Sequence, residues 1–168
     1  TLFYEGDYKV VIDSIQIIGN ESTKEFIILR ELTFGIGDTL NPHISSYNRE
    51  RIYSLRIFNE VRLKPYLSDG KNILQIEIEE SWYIYPIPFI TLKDRDWDKV
   101  SYGISVSILN FRGRNETLSG SAAFGYDPSF NFRYFNPNIS YNQNLNFQIS
   151  LGYSTSTNKS TEAESLYG

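Results

Sequence analysis

At 168 residues the chain has room for one medium domain or two small ones. A formal net charge of -4 and a pI near 5.1 exclude an extended nucleic-acid surface. Cysteine is absent, which removes disulfides, thiolate chemistry and cysteine-based zinc sites together.

In chain order, Thr1 to Asp7 lacks the basic start and apolar core of a secretion signal, and the chain holds no methionine. It reads as a processed or excised piece of something longer. Lys9 to Ile18 is rich in β-branched residues, with Val11, Ile15 and Ile17 recurring on one face, and predicts a strand ended by Gly19-Asn20. Ser22 precedes Glu25 by three, the spacing of a capping box. The apolar side of the helix it would open is Phe26, Ile27, Ile28, Leu29 and Leu32, with Gly35 and Gly37 as its breakers. A second helix is predicted from Ser45 or Ser46 to about Arg56, burying Ile52 and Leu55. Two strands follow: Val61, Leu63 and Pro65 alternate with Arg62, Lys64 and Tyr66, and Leu74, Ile76 and Ile78 alternate with Gln75, Glu77 and Glu79. Ser68-Asp69-Gly70-Lys71 between them is a hairpin turn. The order β-α-α-β-β suits two helices on one face of a three-stranded sheet, over residues 1–80.

From Trp82 onward helical periodicity gives way to long strands, at about 82–93, 99–109, 116–127, 129–136 and 144–155. Tyr102, Ile104, Val106 and Ile108 alternate with Gly103, Ser105 and Ser107, and Phe147, Ile149 and Leu151 alternate with Gln148, Ser150 and Gly152. Nine residues rising ~3.3 Å each at a ~40° tilt cover ~23 Å, close to the ~25 Å apolar band of an outer-membrane barrel. The larger residues therefore face lipid and the smaller ones a wet interior; a soluble sheet is the competing reading. Aromatics at 15%, with 13 Tyr and 11 Phe, suit interfacial girdles and β-cores alike. Arg133 falls on the wet side, where it lines a lumen or pairs with an acid beyond this chain, and Phe135 intrudes beside it. A bacterial single-chain barrel needs at least about eight strands, so residues 81–168 hold only the start of one. Thr155 to Gly168 is polar and reads as a loop.

Several stretches together resemble a known family. Ile15 to Asn20, Thr23-Lys24, Ile28 to Leu32, Gly37-Asp38 and Ile57 to Val61 are similar to a polypeptide-transport-associated (POTRA) domain. Asn110 to Ser119 and Phe132 to Pro137 resemble the early barrel strands of the outer-membrane assembly-factor superfamily, the BamA and TamA type. The resemblance implies an α+β POTRA domain (β-α-α-β-β) followed by antiparallel strands that begin a transmembrane β-barrel. It also implies a non-enzymatic insertion factor in the outer membrane of a Gram-negative-type bacterium, with its N-terminal domain in the periplasm. The partners it implies are unfolded outer-membrane clients and outer-membrane lipid, with periplasmic chaperones or accessory lipoproteins as further candidates and no cofactor. Other roles within reach are a secretion transporter of the same superfamily, the barrel anchor of a surface lipid hydrolase, and a soluble periplasmic binding protein.

Two sites follow from that resemblance. The strand Glu60, Val61, Arg62, Leu63, Lys64 to Tyr66 is the candidate edge for pairing with an extended client, where Arg62 and Lys64 also blunt self-association; simple solvation of an edge is the alternative. Tyr85, Pro86, Ile87, Pro88 and Phe89 form the candidate barrel seam, because prolines two apart delete two donors from one side of a strand. An ordinary protected edge, or a connector outside the sheet, would account for them too. The remaining candidates are weak. Asp94, Asp96 and Asp98 lack the glycine and the final acid of a calcium loop and read as a solvated connection. His43, beside Pro42, is a helix-entry residue, and no nucleophile elbow or phosphate loop is present. Asn20, Asn115, Asn138 and Asn158 match a short glycosylation pattern that recurs by chance.

Overall fold

The computed structural model describes residues 2–140 and 145–155. The first half holds β1 (Leu2–Phe3), β2 (Val10–Val11), β3 (Ser14–Ile18), α1 (Glu25–Leu29), β4 (Thr39–Leu40), α2 (Pro42–Tyr53), β5 (Phe58–Ser68) and β6 (Lys71–Glu80). Its main sheet has the order β1-β5-β6-β3, with β3 parallel to β6 and the other pairs antiparallel. The predicted strand over residues 9–18 is split. Val10 and Val11 leave to pair with Leu40 and Thr39, while Ser14–Ile18 joins the sheet. Asp69 and Gly70 both take positive φ, 52° and 75°, which a two-residue turn between β5 and β6 requires.

α2 opens three or four residues before the predicted start because Asn41 caps it, its Oδ1 accepting from the Ile44 amide at 2.9 Å, with Pro42 in the first turn. It ends at Tyr53, short of Arg56, whose φ of 58° is left-handed. The predicted capping box on α1 does not form. The amides of Ser22 and Thr23 donate instead to the carboxylate of Glu80, at 3.0 and 2.6 Å, because the end of β6 brings that acid beside them. A five-residue helix turns only one stripe inward: Ile27 and Ile28 are buried, whereas Phe26 and Leu29 are exposed. With Ile12, Leu40, Ile52, Ile57, Phe58, Val61, Leu74, Ile76 and Ile78 they form the core, and Leu55 packs at its margin. Asn48, fully buried, ties α2 to the preceding loop. Its Oδ1 accepts from the Thr33 amide at 2.7 Å and its Nδ2 donates to the Ile44 carbonyl at 2.8 Å.

The second half is an antiparallel meander of β7 (Ile84–Leu92), β8 (Val100–Phe111), β9 (Glu116–Gly125), β10 (Ser129–Ser140) and β11 (Leu145–Ser154). Strands of nine to twelve residues pair only with their sequence neighbours, so the sheet is open at β7 and β11 among the described residues. β10 runs four residues past its predicted end, with a register shift between Asn136 and Ser140. Of the predicted terminal loop over 155–168, all but Thr155 lies outside the described residues.

Candidate functional site: two strand edges and a two-faced sheet

Period-two alternation along each strand, combined with the register between strands, collects one kind of side chain on each face of the meander. Tyr102 stands opposite Phe124, Ile104 opposite Ala122 and Ile108 opposite Leu118. Phe132 and Tyr134 then stand opposite Leu151 and Ile149, and Asn136 opposite Phe147. Tyr102, Ile104, Phe147, Ile149 and Leu151 are all exposed on this apolar face, with Val106 and Ile108 partly covered. Ring contacts run along one end of it, Tyr102 to Phe124 at 6.5 Å and Phe124 to Phe130 at 5.7 Å. On the opposite face Ser105 stands across from Ser121, and Ser119, Arg133 and Ser150 form one cross-strand row. Phe135 shares that face between Thr117 and Gln148. Across β8 to β11 the expected wet side is thus mostly small polar residues, interrupted by Phe135 and crossed by Arg133, which makes no ion pair among the described residues.

β7 departs from the rule by being apolar on both faces. Ile84, Pro86, Pro88 and Ile90 line up with Ile108, Val106, Ile104 and Tyr102, while Tyr85, Ile87 and Phe89 lie over Ser107, Ser105 and Gly103. A Cβ on Gly103 would come within 2.7 Å of the Phe89 ring, so that glycine makes room for the aromatic. Backbone direction follows from the two ends of the ladder. The Leu109 amide donates to the Tyr83 carbonyl at 2.8 Å and the Lys93 amide to the Lys99 carbonyl at 3.1 Å. Odd-numbered residues of β7 therefore bond β8, and even-numbered ones turn their backbone groups to the outer edge. Pro86 and Pro88 sit on that edge, which keeps five carbonyls and loses the two central donors. In the loop beyond β7, Lys99 reaches Asp94 at 3.0 Å and Asp96 at 3.8 Å, so those acids serve a lysine of the chain itself.

The second edge belongs to β5, and its expected extent needs one correction. β1 covers its far end: Leu2 and Phe3 pair with Leu67 and Tyr66, and the Tyr4 amide donates to the Pro65 carbonyl at 3.0 Å. Tyr66 is buried there and unavailable to another chain. Two residues are too few to show a strand period, so β1 leaves no periodic mark to read. At Gly6, with φ of 69°, the chain leaves the edge, and Val61 and Leu63 keep outward amides and carbonyls beside α2. A groove of about 430 Å³ lies there, lined by Tyr8, Ser45, Ser46, Arg49 and residues 60–63. On the sheet's other face Lys64 contacts Glu77 at 2.6 Å, and Arg62 pairs with Glu60. The Lys64 hydrogen bond, opposed next by burial and then aided by the Lys64 charge, a Gln75 hydrogen bond and the Arg62 charge, holds the Glu77 carboxyl below its ordinary range.

Residues 10–81 match the family described as POTRA, surface antigen variable number repeat. Over 73 residues the chain is 36% identical to the outer membrane protein assembly factor BamA of Neorickettsia risticii (strain Illinois), a stretch covering 43% of this chain and 10% of that protein. The fold is similar to the crystal structure of BamA from Haemophilus ducreyi lacking POTRA domains 1-3. That likeness has a TM-score of 0.70 at 16% identity and spans 93% of this chain and 30% of the other. The chain therefore spans a tenth of one relative and under a third of the other.

Proposed function

We propose that this chain, a BamA-type POTRA domain running into the opening strands of a barrel, serves in the assembly or secretion of outer-membrane proteins. The division falls near residue 80, with the POTRA half in the periplasm and the meander in the outer membrane, its apolar face against lipid and the Arg133 face toward a lumen. The role is mechanical: the protein offers backbone groups to clients that have not yet paired their own. In lipid every unpaired peptide group costs several kcal/mol, so a strand that lends its edge lowers the barrier to insertion. Accessory lipoproteins or periplasmic chaperones would deliver such clients.

The observation that carries this reading is the outer edge of β7, apolar on both faces and short of two central donors. A closing strand that finds only acceptors at the centre of this edge is held less firmly and is one that a client can displace. Val61 and Leu63 offer a second, solvent-side edge for β-augmentation by an extended client. The decisive experiment replaces Pro86 and Pro88 with valine or threonine in the full-length protein and follows client folding into liposomes. Restored donors tighten the edge and slow insertion. Unchanged insertion, with a seam no more tightly closed, removes the gate. For the other edge, Leu63→Pro deletes an outward amide without touching the β6 ladder. It should weaken binding of an extended barrel-strand peptide, read from the Val61 amide shift by NMR.

A further inference from the structure

We propose that the turn between β8 and β9 is a latch that docks the POTRA domain on the barrel sheet, with Asn110 and Gly113 as its positioning residues and the loop before α1 as its socket. Three residues, Ser81 to Tyr83, separate β6 from β7, and such a linker alone leaves two bodies free to swing. A second attachment removes that freedom. The Asn110 Nδ2 donates to Thr23 Oγ1 at 2.8 Å, and the Lys24 amide donates to the Gly113 carbonyl at 2.9 Å. Asn110 and Thr23 are 4% and 2% exposed, so this polar contact lies out of water.

Turn and socket are each held in shape from their own side. The Asn110 Oδ1 accepts from the Asn115 amide at 2.8 Å, closing the turn on the residue that reaches across. Positive φ at Asn110, Arg112, Gly113 and Asn115 winds it tightly, and a Cβ on Gly113 would run into the Ser22 carbonyl. Glu80 grips the Ser22 and Thr23 amides from the other direction. Tyr83 joins the two bodies: its hydroxyl donates to the Ile57 carbonyl at 3.1 Å, and its own carbonyl accepts from Leu109. The two turn-to-socket links are hydrogen bonds whose groups can return to water on undocking, which makes that contact releasable, while the Tyr83 ring stays packed against the core. Because Tyr83 leads directly into β7, a swing of the POTRA domain pulls on the strand whose outer edge was assigned to clients. That consequence rests on the proposed function; the latch does not.

The test uses full-length protein in lipid nanodiscs, spin-labelled at Tyr47→Cys on α2 and at Trp97→Cys in the β7–β8 loop. The unaltered latch gives one narrow distance distribution. Asn110→Ala and Gly113→Ala broaden it, with the undocked population raised about tenfold, the change expected from one buried polar group left unpaired. Thr23→Val removes the acceptor from the POTRA side without touching the barrel, and heat-modifiable gel mobility confirms that each barrel is folded. Narrow distributions in all three folded variants overturn the latch. Broad ones support it, and client insertion unaffected by them then counts against the β7 reading alone.

Discussion

Asn48 and Glu77 carry different kinds of stabilisation in the POTRA half. Asn48 is fully buried and spends its amide on Thr33 and Ile44. Asn48→Ala leaves the Thr33 amide unpaired and should cost about 1–3 kcal/mol, read as faster hydrogen exchange of the Ile52 and Leu74 amides. Glu77 works through charge. Its folded carboxyl titrates below the ordinary 4.5, so its contribution is present above that value and is lost as pH falls through the lower folded one. A carboxyl-detected NMR titration should place Glu77 below unpaired glutamates, and Lys64→Met should move it back up. Neither role was legible in the sequence. An asparagine inside a helix reads as surface, and alternation along β6 shows that Glu77 faces outward without showing which cation faces it.

The strands make a sharper claim because each residue has an assigned side. Ile104→Arg sets a charge on the apolar face and should cost about 2–4 kcal/mol near the bilayer midplane. Ser105→Arg, one residue on, should be mild. Denaturant unfolding of the full-length barrel in lipid distinguishes the two, and equal costs contradict the faces. These faces could be read in advance because a strand's period of two survives any register that keeps large residues together. The Asp69-Gly70 turn was equally plain, since few dipeptides take two consecutive positive φ values. What the chain concealed was short or distant. β1 has two residues, and the split between β2 and β3 depends on β4, far along the chain. Thr23 and Asn110 meet across 87 positions with no periodic signal, so Gly113 was readable as a turn residue but its neighbour was not.

Considered whole, the molecule has a direction. β7 rises from the POTRA junction at Tyr83 to the loop holding Trp97, and Trp82 and Trp97 stand exposed at opposite ends of that strand. In sealed vesicles of known orientation, an impermeant quencher outside should reach Trp97 in a Trp82→Phe variant and spare Trp82 in a Trp97→Phe variant. Quenching of both from one side would refute a spanning sheet.

A neighbour laid along β7 finds hydrogens to accept only near its extremities, at Ile84 and again at Ile90 and Leu92. The stretch between offers only the Pro86 and Pro88 carbonyls, so a neighbour is held there by half the bonds a full ladder would supply and peels more readily through the middle. A thinner hold along the middle of that edge is what those two pyrrolidine rings confer.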